Sequence, residues 1–209
     1  MEEPGAPQSE PAALDDALVR ALANDLDRAF PGLVEAHGDR LYTIALRMLG
    51  DPSDAEEAAQ DALVRAYRAL ASYDAARIGE LRLRGWLATI VLNRCRSQLA
   101  RRAGRGSSVP LDATAGQPSE PVAPTALGPE ATALRHDDRD AWARRLARLP
   151  AAYRAAVILR HVDGLSYPEA AAALGRPEGT VKAQVHRGIA LLRTMLEADR
   201  GLGPEEMTA

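Results

Sequence analysis

The sequence predicts an all-α protein of two small helical domains, joined by a flexible linker that is rich in proline and glycine. Hydrophobic residues make up 46% of the 209 residues but aromatic residues only 4%. That balance suits helical bundles better than sheets, which favour β-branched and aromatic side chains. Apolar residues recur at spacings of three and four in two separate regions, as they do on one face of a helix. Between those regions, Gly104 to Pro129 holds five prolines and four glycines, which is typical of a linker.

The first helical domain is predicted over residues 26–103. Apolar residues from Phe30 to Leu49 form the face of one helix, and Gly50 is expected to end it. A second helix is expected from about residue 54 to 71, and a third from about 83 to 102, with its arginines facing outward.

The ends of the chain and the linker complete the predicted organisation. Residues 1–25 are predicted to be an acidic, disordered N-terminal tail, and residues 104–133 to form the linker. The second domain is predicted over residues 134–198, followed by a short C-terminal tail over residues 199–209.

The second domain contains the sequence pattern of a helix-turn-helix. After helices predicted at Asp137–Leu149 and Pro150–Val162, the run Ser166-Tyr167-Pro168-Glu169 forms a capping box that opens a short helix. That helix stops at Gly175, and Arg176-Pro177-Glu178 begins a longer one that runs to about residue 198. A short helix, a turn with glycine and a second helix make up this DNA-binding motif.

The net charge of −3 conceals a strongly uneven distribution. Residues 77–105 carry eight arginines against one acid, Glu80. Residues 1–29 carry seven acids against two arginines, and residues 111–140 carry six acids against two arginines. A localised basic block of this kind indicates a polyanionic partner, which the chain average does not reveal.

The long helix after the turn carries residues suited to duplex DNA. Its buried stripe is predicted to be Val181, Val185, Ile189 and Leu192. The opposite face is predicted to present Thr180, Lys182, Ala183, Gln184 and Arg187. Such side chains donate to phosphates and contact base edges, and the Gln184 amide suits adenine. His186 is expected to pack or to face the phosphates, since no metal-ligand spacing surrounds it.

Two helices of the first domain carry the other candidate surfaces. The third helix combines Asn93 with a cluster of arginines, and Tyr73 and Trp86 lie nearby. Cationic surfaces with aromatic residues suit single-stranded or melting DNA, although Trp86 also serves as a core anchor of its helix. Acids and a glutamine crowd the start of the second helix; the helix dipole accounts for the first of them, and a protein partner accounts for Gln60 and Asp61.

Three segments together resemble one family. DPSDAEEAAQDALVRAYRAL, LRGWLATIVLNRCRSQLARR and LPAAYRAAVILRHVDGLSYPEAAAALGRPEGTVKAQVHRGIALLR resemble the polymerase-binding, −10-reading and −35-reading segments of extracytoplasmic-function (ECF) sigma factors. These are the compact members of the bacterial sigma-70 family. The resemblance covers residues 26–103 and 134–196 in the order of the family, with a variable linker between them.

The resemblance implies roles for individual residues. Core RNA polymerase, through the clamp coiled coil of its β′ subunit, would bind Asp54, Glu57, Gln60 and Asp61. The −10 element would meet Arg82, Arg84, Trp86, Asn93, Arg94, Arg96, Arg101 and Arg102. The −35 element would meet Thr180, Lys182, Gln184, His186 and Arg187. An anti-sigma factor is a further implied partner, whereas no cofactor, metal or membrane insertion is expected.

The sequence departs from the family pattern at two places. Ser97 stands where relatives often have an acid four residues after the asparagine, and Ala183-Gln184 stands where they usually have Ser-Arg. The second departure leaves the −35 sequence preference unspecified. Residues 1–25 have no counterpart in the family that would assign them a role.

The predicted function is a cytoplasmic sigma factor that directs promoter-specific initiation. The alternative is a helix-turn-helix regulator that binds duplex DNA without core polymerase, which would need neither the acidic nor the basic helix of the first domain. An enzyme is disfavoured because no catalytic constellation, phosphate-binding glycine loop or metal-ligand spacing is found. A passive helical adaptor does not explain two cationic surfaces. With Cys95 as the single cysteine, no intramolecular disulfide is expected.

Overall fold

The computed structural model describes residues 10–105, 142–143 and 145–201, and every regular element in these ranges is helical. The predicted linker from residue 106 onward and both chain ends lie outside the described residues. The N-terminal unit contains α1 (Glu10–Asn24), α2 (Leu26–Leu49), α3 (Pro52–Ala71), α4 (Ala75–Gly79) and α5 (Leu83–Arg105). The C-terminal unit contains α6 (Ala151–Val157), a π-helical turn (Ile158–Val162), α7 (Tyr167–Leu174) and α8 (Glu178–Gly201). Residues 145–148, within the helix predicted before Pro150, are also helical.

Local hydrogen bonds set most of the helix ends. Asp51 accepts a hydrogen bond from the backbone N–H of Asp54 at 2.8 Å, so it caps α3. Gly50 ends α2 in the left-handed conformation, with φ of 76°, which glycine adopts without a steric penalty. The capping box of Ser166 and Glu169 is formed at the start of α7. These predictions of helix ends are confirmed.

The prediction of a disordered tail over residues 1–25 is wrong for the part that the structure describes. Residues 10–24 form α1, which packs against α2 and α4. Val19 and Leu22 are buried, and His37 Nε2 of α2 lies 3.1 Å from a carboxylate oxygen of Asp15. The acidic composition concealed an apolar face, whose burial stabilises the helix. The short helix α4 was also not predicted.

Alanine side chains form much of the core of the N-terminal unit. Helix α3 packs against α2 and α5, and its buried face consists of Ala55, Ala58, Ala59, Ala62, Ala66 and Leu70. Small side chains at a helix interface allow a short distance between the helix axes. The alanine side chains therefore allow α3 to pack closely against α2 and α5.

The two units pack against each other in the described residues. The π-helical turn and α6 contact α2, and α7 contacts α5. Buried side chains of both units belong to one continuous hydrophobic cluster, which runs from Leu33 and Leu87 in the first unit to Ile158 and Val181 in the second. The all-α, two-unit fold is confirmed, and the contact between the units is additional to the prediction. None of the described helices is long and apolar enough to cross a lipid bilayer.

We predict that Gly188→Ala destabilises the protein although alanine is the better helix former. A Cβ atom at position 188 of α8 would lie 2.6 Å from Cγ2 of Val157, a β-branched side chain with little rotational freedom. We expect a loss of about 1–3 kcal/mol in the free energy of unfolding, measured by urea denaturation.

The matched control is Gly38→Ala within α2, where a Cβ atom would meet nothing within 4 Å. This variant should gain about 0.5–1 kcal/mol, the usual difference in helix propensity. Equal shifts for the two variants would contradict the close packing of α8 on α6.

Candidate functional site

The acidic start of α3 and the arginines of α5 contact each other directly. The Arg94 guanidinium donates to Glu57 at 2.6 Å and lies 2.7 Å from Asp61. Its side chain is only 10% exposed. A buried guanidinium needs such carboxylate partners, because an unpaired buried charge is costly. Arg94 and two of the predicted polymerase-binding acids therefore form one ion-pair network.

A second contact of the same kind lies further along α5 and nearer the start of α3. Arg102 is paired with Asp54, which also accepts a hydrogen bond from the side chain of Gln98 at 2.8 Å. Arg102 keeps 45% of its side chain exposed, and the neighbouring Arg101 is also exposed. Within this pair of arginines, Arg102 has an intramolecular partner and Arg101 keeps a solvent-facing position.

The predicted polymerase-binding residues remain accessible to different degrees. Glu57 keeps 61% of its side chain exposed and Asp61 keeps 32%. Gln60 is exposed and donates to Glu56 one turn before it, at 3.1 Å. We call the exposed parts of Glu57, Gln60 and Asp61 the acidic face of α3. Gln60 is the member with no role in the ion-pair network.

A cleft of about 350 Å³ lies between α3 and α5, and we refer to it as the α3–α5 cleft. Tyr73 and Trp86 line it with ring centroids 6.4 Å apart, and Asn93 is exposed at its edge. Arg77 of α4 lies 3.8 Å over the Tyr73 ring, a cation–π contact. The other residues that line the cleft are Arg65, Ala69, Ile90, Arg94 and Ser97. The sequence prediction did not include Arg65, which lies on the same helix as the predicted polymerase-binding acids.

The remaining predicted −10 residues lie on two sides of α5. Arg82 is exposed, and half-buried Arg96 donates to the side-chain oxygen of Asn93 at 3.3 Å. Arg84 is half-buried and faces the C-terminal unit, where it donates to the backbone oxygen of Asp163 at 2.8 Å. The structure therefore does not gather the predicted arginines onto one surface.

The first turns of α8 present an exposed face that we call the recognition face, formed by Thr180, Lys182, Ala183, His186 and Arg187. The prediction that Gln184 belongs to this face is wrong. Gln184 is only 8% exposed and lies on the side of α8 that carries Val181 and Gly188. Its side-chain oxygen has no hydrogen-bond partner among the described residues.

Electrostatic effects on this face are local. The hydrogen bond from Lys182 to Glu178 raises the pKa of Lys182 above its usual value, and the two charged groups are 2.7 Å apart. The Lys182 ammonium also lies 5.5 Å from the centre of the Tyr167 ring in α7. Lys182 therefore stays cationic and is held beside the start of its helix. Across the described ranges, no cluster of His, Cys, Asp and Glu side chains could hold a metal ion.

Two segments of the chain match known protein families. Residues 33–105 match sigma-70 region 2, and residues 139–192 match sigma-70 region 4. The chain belongs to the sigma-70 family. The two matched regions correspond to the two helical units, with the acidic face and the cleft in the first and the recognition face in the second.

Similar proteins assign this sigma factor to the ECF group. It is 35% identical over 167 residues to the ECF sigma factor SigE of Mycolicibacterium smegmatis, a match that covers 78% of this chain and 60% of that protein. It is 32% identical over 174 residues to the ECF sigma factor SigW of Bacillus subtilis, covering 80% and 89%. The ECF sigma-E factor of Escherichia coli K12 is 31% identical over 176 residues, covering 83% and 89%.

Solved structures show the same fold. The structure of CnrH in complex with the cytosolic domain of CnrY is 28% identical, with a TM-score of 0.63, covering 89% of this chain and 99% of that one. The sigma factor RpoE of Bartonella quintana, solved with the anti-sigma factor NepR, is 26% identical with a TM-score of 0.61, covering 81% and 98%. The function is therefore that of an RNA polymerase sigma factor, and the alternative of a regulator that acts without polymerase is not favoured.

We predict that Arg94 and Asp61 are energetically coupled. We expect this from a double-mutant cycle with Arg94→Gln and Asp61→Asn. The free energy of unfolding lost in the double variant should be about 1 kcal/mol smaller than the sum of the two single losses. This is because removing either partner already breaks the contact. The low exposure of Arg94 shields that contact from solvent.

The control cycle pairs Asp61 with Arg65, an i,i+4 ion pair on the surface of α3 with 60% of the Arg65 side chain exposed. Its coupling should be only about 0.3–0.5 kcal/mol. Equal coupling energies in both cycles would show that the pair between α5 and α3 contributes no more to stability than the surface pair within α3.

Proposed function

We propose that this sigma factor binds core RNA polymerase through the acidic face of α3, contacts the −10 element at the α3–α5 cleft and contacts the −35 element through the recognition face of α8. The observation that carries the proposal is the arrangement of the first unit. Arg94 lines the cleft and pairs with Glu57 and Asp61 of the acidic face, so the two surfaces adjoin. Each keeps exposed groups of its own, Gln60 on the acidic face and Asn93 at the cleft.

The cleft supports a role in strand separation. A base that leaves the duplex can stack on aromatic side chains and form hydrogen bonds with polar groups. Trp86 and Tyr73 offer such stacking, and Asn93 offers a donor and an acceptor at the edge of the cleft. Arg101 is exposed two turns further along α5, where a phosphate could accept its hydrogen bonds.

The recognition face supports contact with duplex DNA. The N-terminal turns of a recognition helix enter the major groove, and the positive end of the helix dipole favours phosphate. Arg187 and His186 are exposed on the recognition face, one turn after Ala183. Because Ala183 carries only a methyl group, base contacts would come from its longer neighbours one turn away.

Two further proposals follow from the family and the relatives. An anti-sigma factor is proposed as a partner because the similar RpoE structure contains one. The chain is proposed to act in the cytoplasm as an initiation factor that carries out no covalent chemistry itself. Run-off transcription with core polymerase and a promoter library, followed by mapping of the 5′ ends, would test specific initiation and both promoter elements together.

We expect Gln60→Trp and Arg101→Gln to separate polymerase binding from promoter opening. The bulky indole introduced by Gln60→Trp would obstruct the acidic face without breaking the ion-pair network, so affinity for core polymerase should fall. Arg101→Gln should leave the affinity for core polymerase unchanged but lower open-complex formation. It should also reduce, by about one unit, the slope of log promoter affinity against log salt concentration.

Circular dichroism should show unchanged helicity for both variants. Arg102→Gln serves as a comparison, because this arginine is paired with Asp54 and its loss should also lower stability. Equal impairment of core binding by Gln60→Trp and Arg101→Gln would contradict the two separate surfaces.

For the −35 element, we expect Arg187→Ala to relax selectivity at one base pair by about 1–3 kcal/mol in a randomised −35 library transcribed with intact polymerase. Lys182→Ala should weaken all sequences alike, as the loss of a phosphate contact does.

Gln184→Ala is the matched test of the corrected register. Because Gln184 is buried, the base profile of this variant should stay unchanged while its thermal midpoint shifts. A change of preference at one base pair with Gln184→Ala would show that the recognition face is assigned wrongly.

A further inference from the structure

The two aromatic residues of the α3–α5 cleft are joined by a short helix that lies outside the cleft. Tyr73 follows α3, Trp86 lies in the first turn of α5, and α4 is placed between them in the chain. Among the described side chains, those that line the cleft include none from α4. The position of α4 nevertheless affects both rings, because it sets the path of the backbone that connects them.

Arg77 connects α4 to the cleft through the ring of Tyr73. Asp74 caps α4 by accepting a hydrogen bond from the backbone N–H of Arg77 at 2.8 Å, which fixes the backbone directly after Tyr73. The guanidinium carbon of Arg77 lies 3.8 Å from the centre of the Tyr73 ring. A cation–π contact of this kind attracts the guanidinium to one face of the ring. The orientation of Tyr73 therefore depends on the position of α4.

Helix α4 is too short to hold its position alone. It has five residues, far fewer than an isolated helix needs to be stable in water. Its buried side chain is Ile78, and α1 is the described helix against which α4 mainly packs. Ile78 belongs to the same hydrophobic cluster as Val19 and Leu22 of α1. Helix α1 thus supplies the surface on which α4 lies.

Helix α1 is itself fixed on α2 at both ends. One residue, Asp25, separates the two helices, and its side chain caps the first turn of α2. Towards the other end of α1, Asp15 lies 3.1 Å from Nε2 of His37, and both side chains are largely buried. Between these points, a Cβ atom at Gly32 would lie 3.5 Å from Cδ2 of Leu18, so α1 lies directly on α2. These contacts make α1 a fixed support for α4.

We propose that α1 is a positioning element for the −10 element. Through α4 it holds Arg77 on the Tyr73 ring, and so it fixes an aromatic side chain on which an unstacked base would lie. Val19, Leu22 and Ile78 are positioning residues that act through this ring. The inference rests on the proposed contact between the cleft and the −10 element. It gives the acidic N-terminal segment a role in promoter recognition.

The first measurement is hydrogen exchange of the free, full-length chain with Ile78→Ala. The amides of Arg77, Ile78 and Leu81 should exchange at least about tenfold faster than in the unchanged protein, because α4 loses the side chain that packs it against α1. Ile78→Val keeps most of the buried side chain, so it should restore slow exchange at the same amides.

The second measurement uses holoenzyme assembled from core polymerase and the full-length variants, with a promoter library randomised at the −10 element. Ile78→Ala should broaden the base preference at one position and lower open-complex formation about fivefold or more, as expected when one base–aromatic stack is disturbed. Leu22→Ala should have the same effect, because it removes the α1 side of the same packing. Ile78→Val should retain the original base profile.

Leu41→Ala is the matched control, because Leu41 is fully buried in α2 and belongs to neither α1, α4 nor the cleft lining. It should lower the thermal midpoint at least as much as Ile78→Ala. At temperatures below both midpoints, however, it should leave the −10 base profile unchanged and should not selectively accelerate exchange in α4. The proposal is overturned if Ile78→Ala and Leu41→Ala give the same base profile, or if α4 exchanges equally fast in both.

Trp86→Ala distinguishes failure of this inference from failure of the proposed function. If Trp86→Ala changes the −10 base profile and Ile78→Ala does not, the cleft contacts the −10 element and the positioning role of α1 is wrong. If neither variant changes the profile, the cleft does not contact the −10 element, and the proposed function of the cleft fails together with the inference that rests on it.

Discussion

The packing of α3 through alanine side chains is the constraint on which the N-terminal unit depends. Because five alanines face α2 and α5, the helices approach closely enough for arginines of α5 to reach acids of α3. Larger apolar residues would bury more surface but would separate the helix axes. Arg94 would then lose its carboxylates while staying buried, which is costly. The alanine core of α3 and the ion pairs between α3 and α5 therefore depend on each other.

The helix ends could be predicted from the sequence because their causes are local. The Asp51 cap, the Gly50 end and the Ser166 capping box each depend on groups within four residues. Helix α1 could not be predicted in this way. The acids of residues 1–29 favour a tail, although the alanine and leucine residues of α1 favour a helix. The burial of Val19 and Leu22 exists only once the rest of the N-terminal unit is folded. Tertiary packing of this apolar face adds to the local preference for a helix.

The candidate surfaces were predicted by residue type, but their pairing was not. The sequence places acids on α3 and arginines on α5, and nothing in it indicates that Arg94 neutralises acids more than thirty residues away. The assignment of Gln184 failed for a related reason. Gly188, one turn later on the same side of α8, lies against α6, and Gln184 is buried on that side. Periodicity alone cannot distinguish a covered edge of a helix from an exposed one, because both lie beside the apolar stripe.

The contact between the two units contains a buried ion pair between Arg40 of α2 and Asp163. A buried ion pair adds little net stability, since desolvation offsets most of the attraction between the charges, yet it strongly disfavours any packing that leaves one charge unpaired. Arg40 and Asp163 thus specify one packing geometry of the two units. Arg84 supports the same geometry, because it donates to the backbone oxygen of Asp163. The apolar cluster that spans both units supplies attraction without direction, whereas the guanidinium and the carboxylate determine how the two units meet.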